Sequence, residues 1–245
     1  MDNTVLVSLS QQLASFQSMD TIANNLANIS TPAFKREEMK FEEYVETSAP
    51  AEGQTGPQTV SFVQNVGLVR DLSEGRLETT GAPYDLAING NGYFVVQTAA
   101  GDRYTRDGHF MLNAEGQLVT SNGDPVMGDG GAVTISPDDG NITIAADGTV
   151  TGKQGQLAKL RVVDFADERQ LIKQGASLYT TSQQPVTASD ASIEQGMIEA
   201  SNVQPVIEIA NMIEVSRAYQ MTASLAQSES DLKRQAIQQL GSVQG

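Results

Sequence analysis

His109 is the only histidine in the chain, cysteine is absent, and 30 acidic side chains are spread over 245 residues. A lone imidazole works as a general base or metal ligand only with suitable partners placed beside it. His109 sits in the alternating run His109-Phe110-Met111-Leu112, which reads as a structural strand position. The absence of cysteine removes disulfides, thiol catalysis and Cys-ligated zinc together. Asp138, Asp139, Asn141 and Asp147 offer oxygen ligands for calcium but lack the alternating spacing of a binding loop, so they read as turn residues. Gly90-Asn91-Gly92 is followed by no βαβ unit, and neither a phosphate loop nor a nucleophile elbow occurs. A carboxylate-based hydrolase needs two acids in one pocket, and nothing selects a pair. Asn28-Ile29-Ser30 and Asn141-Ile142-Thr143 fit a glycosylation pattern too common to carry weight. The expectation is a protein that is not an enzyme and holds no cofactor or metal.

With catalysis set aside, the arrangement of elements becomes the informative feature. All 22 glycines lie at or beyond residue 53, and none falls between 197 and 240. Glycine weakens a helix by about 1 kcal/mol relative to alanine and marks turns. Two helical ends therefore bracket a turn-rich body. The net charge of −15 argues against nucleic acid as a partner, because phosphate neutralisation needs a basic surface. Most of that charge belongs to the middle: residues 1–40 carry four acids against three bases, and residues 197–245 five against three. Between Asn3 and Phe34 the only charged side chain is Asp20. Such a helix can be buried on more than one side if its amides and hydroxyls find partners. No apolar run is long enough for a membrane span, and the start lacks the basic and unbroken apolar regions of a cleaved signal.

The N-terminal stripe Leu6, Leu9, Leu13, Phe16, Met19, Ile22, Leu26, Ile29 advances by threes and fours, as one helical face does. Asp2 or Asn3 can cap it, and Ser30-Thr31-Pro32 stops it. Its length would be roughly 40 Å. A second helix opens at Ser201-Asn202-Val203-Gln204-Pro205, with proline in its first turn. Ile209, Met212, Ile213, Val215, Tyr219, Met221, Leu225 and Leu232 drift around that helix, which would reach roughly 54 Å. Both helices exceed the width of a small domain, about 30 Å. They are expected to pair in a coiled-coil-like layer, and to order only when neighbouring copies supply surface. Residues 31–72 read as a linker with an extended run at Thr59–Val69. From Gly75 onward short β-type runs alternate with Asn-Gly and Asp-Gly turns, implying antiparallel hairpins. The fold class is α+β. The expected division is residues 1–30 and 197–245 as assembly helices, 31–72 as linker and 73–196 as an all-β antiparallel domain.

Three stretches carry a resemblance. Ile22-Ala-Asn-Asn-Leu-Ala-Asn-Ile-Ser-Thr-Pro-Ala-Phe-Lys35 resembles the N-terminal signature of the flagellar basal-body rod and hook family. Ser201-Asn202-Val203 and residues 211–220 are similar to its C-terminal signature, and Gly90–Phe94 with Tyr104–Gly108 to its central region. Length and the stretch Ser201–Val206 look most like the proximal-rod branch, with the distal-rod or hook-type branch the competitor. A secreted β-rich adhesin or binding module is the alternative from another class. The resemblance implies a torque-transmitting structural subunit of the periplasmic rod. It implies export through the flagellar type III apparatus and assembly with copies of itself and related axial subunits. Asn24, Asn25, Asn28, Thr31, Phe34 and Lys35 would fix the chain's exit from the first helix, while Met212, Arg217, Ala218 and Tyr219 occupy the matching stretch of the second. Two residues depart from the family pattern. Ala33 stands where glycine is usual, which questions a special backbone conformation there, and Ser216 stands where glutamine is usual.

Overall fold

The structure, a computed structural model, describes residues 3–48, 58–175 and 177–242. It forms two compact units. One holds helix α1 (Asn3–Ala27), strands β1 (Glu37–Ser48) and β2 (Gln58–Arg70), and helix α2 (Pro205–Ser242). The other holds residues 28–36 and 72–203. The chain thus passes from one unit to the other after residues 27, 36, 71 and 203.

In the helical unit α1 packs against α2 and against both strands of the hairpin. α1 stops at Ala27, short of the proline, because the chain turns at Asn28. The Asn28 carbonyl accepts from the Thr31 N–H at 3.2 Å, and its side-chain oxygen from the Thr31 hydroxyl at 3.1 Å. Ile29, expected on the helical stripe, therefore lies in the turn. α2 starts at Pro205, whose missing N–H costs nothing at a first helical position. Met197–Glu199 is a strand and not part of this helix; a strand needs glycine no more than a helix does, so the glycine-free window could not separate them.

The extended run Thr59–Val69, read as lying in a linker, has a pairing partner. β2 forms a long antiparallel hairpin with β1, in register from Glu37 opposite Arg70 to Ser48 opposite Gln58. The partner was hidden by its five glutamates, a residue type depleted in strands. A bulge between Lys40 and Phe41 leaves Val66 without an opposite residue.

Among the described residues every strand pairing of the second unit is antiparallel. β3 (Leu77–Thr79) pairs with Met197–Glu199, and β4 (Leu86–Asn89) with Ser192–Gln195. β5 (Tyr93–Thr98) and β6 (Gly101–Thr105) form the centre of a six-stranded sheet. Its order is Ile172–Lys173, Leu178–Thr180, β6, β5, Val162–Asp164, Val186–Thr187. Alternation along β5 feeds two clusters. Phe94 and Val96 join Leu86, Ile88, Leu118, Val126 and Ile135, while Tyr93 and Val95 join Tyr104, Phe165 and Tyr179. The turn residues hold the loops: Asp139 closes a capping box on Ser136, and Asp147 accepts from the Thr149 N–H and hydroxyl. His109 bridges to Asp85, its Nδ1 2.8 Å from the carboxylate.

Candidate assembly site

The family-motif residues do not lie along one surface; several are buried anchors. Lys35 is one. Residues 33–36 run beside residues 199–202 in the β unit: the Ala33 N–H donates to the Glu199 carbonyl at 2.8 Å, and the Asn202 N–H to the Phe34 carbonyl at 3.2 Å. This alignment carries the Lys35 ammonium to Glu199 Oε1 at 2.7 Å and to the Ser73 carbonyl at 2.7 Å. The other carboxylate oxygen of Glu199 accepts from Arg106 Nε at 2.7 Å. Glu199 is 1% exposed, Lys35 3% and Arg106 4%. Three charges buried this deeply persist only if each is paired and hydrogen-bonded.

Arg106 meets that condition through the glycine motif. Its Nη1 donates to the carbonyls of Gly90 and Gly92 at 3.1 and 3.0 Å, and Nη2 to the Ile88 carbonyl at 3.3 Å. Glu74, on the rim, adds a carboxylate 3.4 Å from Nη2. The Gly90-Asn91-Gly92 stretch is thus an arginine cradle. Gly75 completes the Glu199 environment by donating its N–H to Oε1 at 2.9 Å. A Cβ there would lie 1.8 Å from the Ala200 carbonyl oxygen, so only glycine fits. Burial by itself would raise the Glu199 pKa, but Arg106 and Lys35 outweigh it and hold the carboxyl below its usual range. Burial draws the Lys35 ammonium below its ordinary value despite Glu199.

Around this junction the other motif residues fall into place. Asn202 is half-buried; its Oδ1 accepts from the Arg36 N–H at 2.7 Å and its Nδ2 donates to the Ser73 carbonyl at 3.0 Å. The half-buried Ser201 accepts from the Val203 N–H, and Val203 is buried. Phe34 is buried under the Lys173 ammonium, 4.2 Å from the ring centre. Ala33 has φ of +54°, so the left-handed conformation exists here without glycine. The structure shows no consequence of Ser216.

The helical unit has an anchor of its own. Asn25, fully buried, receives the Glu37 N–H on Oδ1 at 3.0 Å and returns a bond from Nδ2 to the Glu37 carbonyl at 2.8 Å. The same Nδ2 lies 3.3 Å from Glu208 Oε2 in the first turn of α2. One amide therefore joins the end of α1, the start of β1 and the start of α2. Neighbouring Asn24 is exposed, while Asn28 and Thr31 are half-buried in the turn.

Beyond Asn25, this unit buries little. Among its described residues the buried side chains are Ser8, Ile22, Asn25, Glu37, Glu208 and Thr222, of which Ile22 alone is a large apolar group. The expected stripe divides accordingly. Leu6, Leu9, Leu13 and Phe16 are 38–57% exposed, whereas Ile22 is buried and Leu26 and Ile29 half-buried. On α2, Ile209, Ile213, Leu225 and Leu232 are exposed, and Met212, Ala218 and Tyr219 half-buried. Arg217 is also exposed. Among the described residues every exposed large apolar side chain lies in this unit except Leu77, Met111, Ile172 and Val186. Among the described residues this unit shows no buried apolar cluster comparable to those of the β unit. Glu199 and Arg106 were absent from the sequence-derived site. Their signals were an acid inside the apolar run Met197–Ala200 and an arginine in the Tyr104–Gly108 motif.

Three family models match parts of the chain. Residues 10–35 match the family model described as flagella basal body rod protein. Residues 87–152 match that of the flagellar hook protein FlgE/F/G D1 domain, and residues 194–239 that of the flagellar basal body rod FlgEFG protein C-terminal. The chain is 43% identical to the flagellar basal-body rod protein FlgF of Caulobacter vibrioides, over 99% of this chain and 100% of that one. It is 35% identical to FlgF of Mesorhizobium japonicum, over 99% of each. It is 36% identical to the basal-body rod protein FlgG of Buchnera aphidicola, over 91% of this chain and 93% of that one.

Proposed function

Since this chain belongs to the flagellar basal-body rod family, we propose that it is a structural subunit of the periplasmic rod, of the proximal type, joining copies of itself and related axial subunits through α1 and α2. The observation that carries this reading is the mismatch between the two units. The β unit buries two apolar clusters, whereas among the described residues the helical unit buries one large apolar residue and leaves Leu6, Leu9, Leu13, Phe16, Ile209, Ile213, Leu225 and Leu232 exposed. Apolar surface gains roughly 25 cal/mol per Å² when removed from water. Neighbouring subunits can supply that gain in every repeat, and head-to-tail contacts of this kind generate rods. The scarcity of charge along α1 suits such crowding, while the acidic β units remain in solvent. Torque then passes through packed helices and needs no catalytic group. Export through the flagellar type III apparatus belongs to the same proposal.

The proximal placement draws on coverage, since the FlgF relatives align over almost the entire chain and FlgG over 91%. A distal-rod subunit is the second reading. Imaging a labelled subunit in isolated basal bodies decides between them. The assembly claim is tested with Leu13→Asp, which places an unpaired charge in each helix contact, at a cost of several kcal/mol. Motility and rod incorporation should be lost while the β unit melts as in wild type. Normal rods from that variant would refute the packing proposal.

A further inference from the structure

The six-stranded sheet of the β unit ends on two short strands, Ile172–Lys173 at one edge and Val186–Thr187 at the other. Among the described residues neither pairs with a further strand. Each edge displays one aliphatic side chain to solvent, Ile172 at 64% exposure and Val186 at 63%. These are the two most exposed large apolar side chains described in this unit, ahead of Met111 and Leu77. Gln174 and Gly175 beside the first, and Thr187 and Ser189 beside the second, are exposed as well. A free edge with an apolar side chain is a place where chains join, unless charge or a covering element guards it. We propose that the two edges bind each other between successive copies of this chain, the Ile172 edge of one copy docking on the Val186 edge of the next.

Direction, shape and charge all fit one edge to the other. Every pair of neighbours in this sheet is antiparallel, so the outermost of its six strands run in opposite senses. A head-to-tail repeat that keeps the orientation of the sheet therefore continues the antiparallel alternation into the next copy. A cavity of about 400 Å³ opens along the Val186 edge, with Phe165, Ala166, Val186 and Ala188 in its wall. It gives the Ile172 side chain an apolar place to enter. Asp164 and Asp190 also line this cavity, and no basic residue does. On the opposite edge Lys173 follows Ile172, and Arg103 reaches the same strand by donating from Nε to Gln174 Oε1 at 2.9 Å. Opposite charges thus face each other across the contact, which favours the correct pairing over like edges.

Strands of two residues hold weakly by themselves. The inference therefore rests on the rod reading, in which the helices already tether neighbouring copies and raise the effective concentration of the two edges. It adds to that reading a second contact, made by different residues in the β unit. The contact is heterologous, so each copy keeps one edge for the copy before it and one for the copy after.

The absence of cysteine makes this contact readable by disulfide trapping. Ile172→Cys and Val186→Cys are placed together in the full-length chain, and isolated basal bodies are mildly oxidised and separated on non-reducing gels. Bonding within one copy is excluded, because four strands about 4.8 Å apart lie between the edges and a disulfide needs Cα atoms within about 7 Å. The double variant should give dimers, trimers and larger species, whereas each single variant stays monomeric. The two single variants expressed together should give dimers and nothing larger. Met111→Cys with Val186→Cys, an exposed pair away from the proposed contact, should cross-link about tenfold less, since only the docked edges are held at high effective concentration. An incorporated double variant that stays monomeric overturns the proposal and leaves the rod reading standing. So does a single variant that cross-links as well as the pair, because like edges would then meet. A wild-type chain absent from basal bodies overturns the rod reading and this contact together. If the cysteine chain fails to incorporate, carbodiimide treatment of wild-type basal bodies decides: an amide joining Lys173 to Asp190 supports the contact, and its absence overturns it.

Discussion

Lys35 and Glu199 stand 164 residues apart in the chain and meet at 2.7 Å, both nearly inaccessible to water. Their pairing joins the segment that follows α1 to the segment that precedes α2. Arg106 closes on the same carboxylate from the opposite oxygen. Glu199 is thus the shared centre of the junction, and its two cations are not equivalent to it in energetic weight.

Removing the centre should cost most. Glu199→Gln leaves Lys35 and Arg106 buried without their common counter-charge, and breaking a buried pair this way costs about 3–5 kcal/mol. Lys35→Ala leaves Glu199 still bonded to Arg106 and the Gly75 N–H, so its penalty should be clearly smaller. Thermal melts of the β unit in both variants, monitored by near-UV dichroism, will rank them. Equal losses would contradict a Glu199-centred junction.

Acid should act through the same carboxylate. The folded pKa of Glu199 is depressed, so its contribution is fully present above the unfolded value, about 4.3, and is lost as pH falls through the folded value. Asp107 and Glu168 act in the reverse sense, because burial raises both. Their folded forms hold protons more tightly, and that contribution fades as pH rises. The informative quantity is therefore the wild-type stability minus that of Glu199→Gln, measured by urea unfolding from pH 6 to pH 3. This difference should shrink as the solution is acidified.

Asn25→Asp is nearly isosteric yet should be disruptive. The Nδ2 donor to the Glu37 carbonyl disappears, and a second carboxylate is set beside Glu208 in a fully buried position. Leaving a buried acceptor unmatched costs about 1–3 kcal/mol, and more where charge is added. Amide exchange at Glu37 and along the first turn of α2 should accelerate, with the β unit unaffected. Unchanged protection at Glu37 would show that the amide is dispensable.

Ala33 gives a test of backbone strain. A left-handed φ costs an L-residue roughly 1–2 kcal/mol, which glycine avoids. Ala33→Gly also loses one buried methyl, worth about 0.8 kcal/mol, and adds freedom to the unfolded chain. These terms nearly cancel, so that variant should be within about 1 kcal/mol of wild type. Ala33→Val should be far worse, since a β-branched residue is a genuine outlier at this φ. Urea unfolding of the two variants checks the ordering.

What could be read before folding was whatever depends on local order along the chain. Glycine placement and the three-four apolar rhythm located α1 and α2, and Asn-Gly and Asp-Gly turns located the antiparallel body, because those signals act over a few residues. The β1–β2 hairpin was legible only in its second strand, since glutamates obscure the first until their cross-strand partners are known. Lys35, Phe34 and Asn25 were visible as motif members, but their roles were not. The tertiary structure alone made Glu199 the partner of Lys35 and Arg106, turned Gly90 and Gly92 into acceptors for a guanidinium, and divided the N-terminal stripe between burial and exposure. The reason is physical: burial, ion pairing and backbone acceptance depend on which distant segments converge, and sequence spacing carries no distance between them.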